Sequence, residues 1–211
     1  MREPADSMAG ARPSANGRMA PAIPGQRGVV AWLTGLSGAG KSTIARVAEV
    51  MLREHGRTVF VLDGDEVRKG LCKGLGFSRE DRHENLRRAG EVAALMADAG
   101  LVVIAAFITP EAVQRSRLRT AIGSARFLEV HVATPLEVCE LRDPKGLYRR
   151  ARAGEIPDFT GVDAAFEVPV KPDLVLATEG RSAKDCAMTL VAALAERGHI
   201  DNVASRPRLL G

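Results

Sequence analysis

The sequence predicts an α/β fold, a three-layer sandwich in which helices cover both faces of a parallel β-sheet. Two patterns in the 211 residues support this prediction. Short apolar runs alternate with longer stretches of helical periodicity, and a glycine-rich turn joins the first apolar run to the first helical stretch. Parallel strands need a crossover of about a dozen residues, usually a helix, so the alternation favours a parallel sheet.

The elements are predicted from periodicity and from residues that end helices. Strands are expected at residues 29–34, 58–62, 101–107, 127–132 and 174–177. Helices are expected at residues 41–55, 81–99, 110–122, 136–141 and 182–197. Asp81 is the predicted N-cap of the second helix, because Glu84 follows three residues later. Gly56, Gly100 and Gly198 stand where helices should end, since glycine suits the left-handed C-cap.

The chain is predicted to form one domain, residues 28–200, between two tails. Residues 1–27 contain four prolines and no apolar periodicity, which predicts a disordered leader. Glu3 and Asp6 argue against the alternative, a transit peptide. Residues 201–211 are polar and are predicted to be a flexible tail.

Composition excludes several classes of function. Aromatic residues make up only 4% of the chain, which argues against a base-stacking surface for nucleic acid. The longest apolar run has eight residues, whereas a membrane-spanning helix needs about 20. The three cysteines lack C-x-x-C spacing, which favours a reduced, cytoplasmic protein. A net charge of +4 suits a small anionic substrate, and neither nucleic acid nor membrane is an expected partner.

Residues 143–171 break the alternation of strands and helices. Loops of this length are usually functional or disordered. The segment carries Lys145, Arg149, Arg150 and Arg152, which suit a mobile basic lid over an anionic ligand. A solvated basic helix explains the same composition, and both readings stay open.

The strongest motif is a phosphate-binding loop. The pattern G-x-x-x-x-G-K-[ST] is matched by Gly35, Leu36, Ser37, Gly38, Ala39, Gly40, Lys41, Ser42 and Thr43. Such a loop aims backbone amides and a helix N-terminus at phosphate oxygens. Lys41 is expected to reach the terminal phosphates of a bound nucleotide, and the Ser42 hydroxyl to hold Mg²⁺. The fold is therefore predicted to be of the P-loop nucleoside triphosphate hydrolase type.

Acidic residues follow the second predicted strand and are absent from the third. In an open parallel sheet, ligands gather at the carboxyl ends of strands, so Asp63 and Asp65 should lie near the transferred phosphate. Asp63 is the candidate base and metal ligand. An acidic turn is the competing interpretation, because Asp-Gly pairs are common in turns. No N-K-x-D segment for guanine is present, which favours an adenine nucleotide.

From Leu62 onward the sequence resembles the adenylylsulfate kinase family. The segments that carry the resemblance are LDGDEVR at 62–68, GLGFS at 74–78, DRHEN at 81–85, RDPKGLY at 142–148, ARAGEI at 151–156 and FTGVD at 159–163. The resemblance covers roughly residues 28–178. The resemblance implies that ATP phosphorylates the 3′-hydroxyl of adenosine 5′-phosphosulfate, with Mg²⁺ as the cofactor.

The resemblance also implies roles for individual residues. Asp63 would be the base, with Lys41 beside it, and Arg142 would stack on the ATP base. Phe77 and Phe159 would sandwich the adenine of the acceptor. The acceptor pocket would comprise Asp65, Arg68, Phe77, Arg82, Asn85, Ile108, Thr109, Lys145, Leu147 and Phe159.

Three residues depart from the family pattern. Thr109 stands where the family has a serine to which phosphorylation has been assigned, and direct transfer to the acceptor is the expectation here. Glu66 replaces the usual asparagine, which would weaken anion binding unless the side chain faces solvent. Glu111 replaces an aromatic residue.

Two other functions remain as alternatives. One is another small-metabolite kinase, such as a gluconate or nucleoside kinase. The other is a catalytically silent nucleotide-binding partner of a separate ATP sulfurylase, which the departures at Glu66 and Thr109 motivate. The resemblance further implies a homodimer and functional coupling to that sulfurylase.

Overall fold

The structure is a computed structural model that describes residue 23 and residues 26–201. The predicted leader lies outside the described residues except for residues 23, 26 and 27, and the predicted tail lies outside them except for residue 201. Gln26 forms an antiparallel bridge with Ile200, so the two ends of the described domain meet.

Five parallel strands form one sheet, which confirms the predicted sheet type. The strands are β1 (Val29–Thr34), β2 (Val59–Asp63), β3 (Val102–Ala106), β4 (Phe127–Ala133) and β5 (Leu174–Ala177), in the order β2-β3-β1-β4-β5. In the register of the central strands, Ala31 lies opposite Ile104 on one side and Leu128 on the other. All six residues of β1 are buried, because this strand is flanked by strands and covered on both faces.

Seven helices are present among the described residues. They are α1 (Lys41–Glu54), α2 (Gly64–Lys69), α3 (Arg79–Asp98), α4 (Ala112–Ile122), α5 (Leu136–Arg142), α6 (Leu147–Arg152) and α7 (Ala183–Glu196). Five of them match the predicted helices within a few residues. Helix α2 was not predicted, and α6 lies in the segment expected to be a lid or a solvated helix.

The predicted N-cap of α3 was wrong. Ser78 caps the helix, and its hydroxyl accepts a hydrogen bond from the Asp81 amide at 3.0 Å. The Asp81 carboxylate instead accepts from the Gly76 amide at 3.0 Å. Asp81 therefore occupies the third helical position, because an earlier serine offers the same cap chemistry and adds nearly a turn to the helix.

Two cores lie on opposite faces of the sheet, which accounts for the three layers. Successive side chains of a strand point to opposite faces. Leu33 of β1 packs in the core under α1 and α7, together with Ile44 and Leu190. Trp32 packs in the core under α3 and α4, together with Leu86.

The sheet brings three loops to one edge. Strand β1 leads into the glycine-rich turn, β2 ends at Asp63, and β3 is followed by the segment that reaches Thr109. Since all strands are parallel, these carboxyl ends lie side by side, as an open sheet requires of its ligand-binding edge. No helix of the described residues is long and apolar enough to cross a membrane.

Candidate active site

The glycine-rich turn connects β1 to α1, as predicted. Gly38 and Gly40 have φ angles of 72° and 100°, in the left-handed region that glycine adopts readily. A Cβ atom on Gly38 would also lie 3.0 Å from the carbonyl oxygen of Cys139. Side chains at these positions would strain the loop, so the sequence pattern reflects both backbone conformation and close packing.

Side chains from neighbouring elements bond the carbonyl groups of this loop. The Tyr148 hydroxyl donates to the Ser37 carbonyl at 3.0 Å, and the Thr134 hydroxyl donates to the Ala39 carbonyl at 2.9 Å. The Arg142 guanidinium lies 3.4 Å from the Gly38 carbonyl. Carbonyls satisfied by protein donors leave amides to serve as the phosphate-binding groups.

Lys41 is the buried cation of the site. Its ammonium group donates to the carbonyls of Gly35 and Leu36 at 2.8 and 2.6 Å, and the residue is 8% exposed. Burial lowers the pKa of this lysine to about 8, and the charges of Asp63 and Asp65 act in the opposite direction. The positive charge of Lys145 lowers the pKa as well.

Asp63 combines two roles at the end of β2. The residue is 8% exposed, and its Oδ1 accepts from the Asp65 amide at 2.9 Å, which caps helix α2. Asp65 forms an ion pair with Lys145, which precedes helix α6. The competing interpretation, an acidic turn, was wrong for the local structure, because Asp63 ends β2 and caps a helix that begins at Gly64.

Two arginines of the predicted acceptor pocket lie against other predicted pocket segments. The Arg68 guanidinium lies 4.4 Å from the ring centroid of Phe77, a side chain that is 70% exposed. It also donates to the Gly76 carbonyl at 3.0 Å. The Arg82 guanidinium donates to the carbonyl of Asp158 at 2.8 Å, next to Phe159.

Asn85 is a buried polar group with an unused acceptor. The residue lies on α3 and is 5% exposed, and its side-chain Oδ1 has no hydrogen-bond partner among the described residues. A buried acceptor without a donor is costly, by about 1–3 kcal/mol. A ligand hydroxyl or amine that donates to Asn85 would remove this cost.

Thr109 is held in an unusual backbone conformation. Its φ is 47°, in a region that costs a β-branched residue about 1–3 kcal/mol. The residue is 1% exposed, and its hydroxyl accepts from the Trp32 indole at 2.8 Å. The Thr34 hydroxyl donates to the carbonyl of the preceding residue, Ile108, at 2.6 Å.

Residues 143–171 pack on the phosphate loop through a few apolar contacts. Gly161 lies against Leu36. A Cβ atom added to Gly161 would be only 3.1 Å from the leucine side chain. Phe159 is 9% exposed and meets the Tyr148 ring edge-on at 5.1 Å between centroids. Leu147 packs at the margin of the same core.

Comparison with known proteins identifies the family to which this site belongs. Residues 27–177 match the model of the family described as adenylylsulphate kinase. The chain is 54% identical over 176 residues to the adenylyl-sulfate kinase of Shewanella amazonensis, covering 83% of this chain and 89% of the relative. It is 59% identical over 152 residues to that of an Enterobacter species, covering 72% and 76% respectively. The chain belongs to the adenylylsulfate kinase family.

Solved structures of this kinase family share the fold. An APS kinase of Mycobacterium tuberculosis, described in complex with AMPPNP and APS, is 48% identical with a TM-score of 0.77. The match covers 80% of this chain and 98% of the other. A gluconokinase from Sinorhizobium meliloti is 16% identical with a TM-score of 0.53, covering 80% of this chain and 92% of the other, which shows the fold alone.

The structure explains two of the departures from the kinase pattern. Glu66 is 59% exposed at its side chain and pairs with Lys69 at 2.7 Å, so it faces solvent. Glu111 accepts hydrogen bonds from Arg79 and His83, and these bonds hold its pKa at about 2. Glu111 is also the N-cap residue of α4, and its backbone amide donates to the Gln114 side chain at 3.5 Å, which gives this position a structural role.

Sequence reasoning missed two residues that shape the phosphate loop. Tyr148 lies within residues 143–171, and its hydroxyl reaches the Ser37 carbonyl. Thr134 follows β4 and reaches the Ala39 carbonyl. Tyr148 ends the RDPKGLY segment but was given no role of its own, and Thr134 carries no local signal, because a threonine after a strand is an ordinary packing residue.

Proposed function

We propose that this protein transfers the γ-phosphoryl group of ATP to the 3′-hydroxyl of adenylyl sulfate. Membership of the kinase family supports the reaction, and one structural observation carries it. Asp63 ends β2 and Lys41 follows the turn after β1, so both lie at the same end of the parallel sheet, where the terminal phosphate of a nucleotide in the loop would end, and the charge of Asp63 raises the pKa of Lys41. A carboxylate and an ammonium group at that point are the base and the cation that phosphoryl transfer requires.

The donor nucleotide would occupy the turn between β1 and α1. Backbone amides of residues 35–43 would hold the phosphates. Lys41, now bonded to two loop carbonyls, would exchange these neutral partners for phosphate oxygens. That exchange favours the charged ammonium, because anionic oxygens stabilise a cation more than carbonyl dipoles do. Arg142, close to the Gly38 carbonyl, would stack on the base.

The acceptor would lie between α2, α3 and the lid. Arg68 and Arg82 offer planar forks that suit the oxygens of a phosphosulfate. Asn85 would accept a hydrogen bond from the nucleotide through its buried Oδ1. Phe77 and Phe159 would contact the adenine, and Asp65, Ile108, Thr109, Lys145 and Leu147 would complete the pocket.

Magnesium fits the donor groups at the sheet edge. Ser42 is the second residue of α1 and is exposed. Asp63 has a second carboxylate oxygen besides the one that caps α2. Mg²⁺ is usually held by one or two protein groups together with phosphate oxygens and water. When bound, the ion would neutralise charge that develops on the phosphate oxygens.

Asp63 would then act on the acceptor. Its carboxylate would orient the 3′-hydroxyl toward the terminal phosphorus and take up the hydroxyl proton as the new bond forms. Transfer would be direct, since the Thr109 hydroxyl is buried and engaged by Trp32. The lid would exclude water, and Lys145 would steady it through the ion pair with Asp65.

The proposal extends to assembly, location and a partner enzyme. A homodimer is consistent with the family, and one relative of known structure, from Thiobacillus denitrificans, is described as hexameric. That relative is 33% identical with a TM-score of 0.63, and the match covers 83% of this chain and 30% of the other. A cytoplasmic location and coupling to a separate ATP sulfurylase complete the proposal.

The decisive assay uses the full chain with MgATP and adenylyl sulfate. Formation of the 3′-phospho product supports the proposal, with gluconate and adenosine as control acceptors. Preferred turnover of a control acceptor would favour the other small-metabolite kinases. Nucleotide binding by calorimetry without any product would favour the silent partner of ATP sulfurylase.

A further inference from the structure

A buried ionic pair lies behind the segment that follows β3. Arg115, in the first turn of α4, is 4% exposed, and Glu129 of β4 is 8% exposed. Their charged atoms are 3.0 Å apart. A buried ion pair is seldom retained for stability alone, because desolvation offsets most of the attraction. A positioning role is therefore worth seeking.

Arg115 uses its remaining donors on the backbone of the pocket. Its Nη1 donates to the carbonyl of Thr109 at 3.0 Å and to that of Pro110 at 3.1 Å. Thr109 is the residue with the left-handed φ. The guanidinium thus links Glu129, on β4, to the two peptide groups at the bend.

Two residues of β1 also bond this bend. The Trp32 indole donates to the Thr109 hydroxyl at 2.8 Å, and the Thr34 hydroxyl donates to the Ile108 carbonyl at 2.6 Å. Trp32 lies directly opposite Glu129 in the register of β1 and β4. Adjacent strands and α4 therefore fix three consecutive residues whose backbone would otherwise relax.

We propose that Arg115, anchored by Glu129, is a positioning residue that holds residues 108–110 in the shape that receives the acceptor nucleotide. The proposal rests on the function proposed above. Arg115 touches no reacting atom in this account. It acts through Thr109 and Ile108, so its loss should weaken acceptor binding and leave the donor site intact.

Arg119 provides a matched control. It lies one turn further along α4 and also pairs with Glu129, at 3.3 Å, and with Asp173. Its hydrogen bonds among the described residues go to these two carboxylates and not to residues 108–110. Replacing Arg119 disturbs the same charge network without removing a bond to the bend.

The test compares Arg115→Met and Arg119→Met in steady-state kinetics and in equilibrium binding of adenylyl sulfate. For Arg115→Met we expect the KM and Kd for adenylyl sulfate to rise about tenfold or more, with the KM for ATP changed less than about twofold. For Arg119→Met both KM values should stay within about twofold of the wild-type values, even if its thermal stability falls as much as that of Arg115→Met. Unchanged acceptor binding in Arg115→Met, or an equal rise in Arg119→Met, would overturn the proposal.

Arg115→Lys covers the case in which the methionine variant does not fold. The lysine keeps a charge beside Glu129 but lacks the planar fork that serves a carboxylate and two carbonyls together. An intermediate rise in the KM for adenylyl sulfate, about threefold, is expected with ATP unaffected. An equal rise in the KM for ATP and the KM for adenylyl sulfate would contradict the proposal. Wild-type protein that binds adenylyl sulfate without turnover would refute the proposed function and leave the binding test in force.

Discussion

The role of Asp63 can be tested by a substitution that separates its two contacts. Asp63→Asn keeps a side-chain oxygen that can accept from the Asp65 amide, now 2.9 Å from Oδ1, so α2 should stay capped. Asparagine and aspartate are equivalent N-caps, and the melting temperature should change little. The variant removes the negative charge and the ability to accept the acceptor's proton.

The expected magnitudes follow from these two contacts. Loss of a positioned base should lower kcat by about 10²–10⁴, with the KM for ATP changed by less than about threefold. Asp63→Ala should show the same kinetic loss and, in addition, lose the cap, at a cost of about 1 kcal/mol. In a domain of this size that corresponds to a melting temperature about 2–4 °C lower.

The substitution should also act on Lys41. The charge of Asp63 raises the pKa of this buried lysine, which nevertheless lies at about 8. Without that charge the pKa should fall further, so the protonated fraction at alkaline pH should decrease. The residual kcat/KM for ATP of Asp63→Asn, which reports the enzyme before nucleotide binds, should therefore decline at a lower pH than that of the wild type.

The assay is formation of the 3′-phospho product at saturating MgATP, resolved by anion-exchange chromatography, with thermal unfolding as the control for folding. A kcat lowered less than about tenfold would refute Asp63 as the base, since general-base catalysis contributes at least about a hundredfold. A loss confined to KM for ATP would instead assign Asp63 to donor binding alone.

Three further outcomes are expected. Lys41→Ala should lower kcat/KM by about 10²–10³, because a cation directed at the transferred phosphate is lost, and activity near the wild-type value would contradict the donor site. Tyr148→Phe removes the donor to the Ser37 carbonyl, so calorimetry should show weaker binding of an ATP analogue, and stability should fall by about 1 kcal/mol. Glu111→Gln should destabilise the protein at pH 7 in urea denaturation. Because hydrogen bonds from Arg79 and His83 hold the Glu111 pKa at about 2, the stabilisation is complete above its ordinary value near 4.5 and is lost as pH falls through about 2. The difference between wild type and variant should therefore shrink at acid pH, and a difference independent of pH would contradict this reasoning.

Much of the fold was predictable because its signals are local. The five strands are short apolar runs, and a parallel sheet is the arrangement that crossover helices allow. The phosphate loop was predictable since Gly38 and Gly40 report backbone conformations that other residues avoid. The misplaced start of α3 arose because Ser78 and Asp81 are both good caps and only the folded backbone chooses between them.

Helix α2 was missed for a different reason. It has six residues and a glycine at its first position, which is too short for a helical period to be visible. Its capping by Asp63 is a consequence of where β2 ends. The sequence of residues 143–171 was likewise ambiguous between a lid and a solvated helix, and the contact between Gly161 and Leu36 of the phosphate loop depends on the folded chain.

The class of fold, the phosphate loop and the resemblance to one kinase family could all be read from short segments of the chain, because their signals lie in neighbouring residues. Three features could not: the pairing of Lys145 with Asp65 across 80 positions, the bond from Arg115 to Thr109 while Arg115 pairs with Glu129, and the burial of the threonine. Such contacts form between residues distant in the chain. Their free energy depends on burial and on the direction of each donor, and neither property exists until the sheet and its helices have packed.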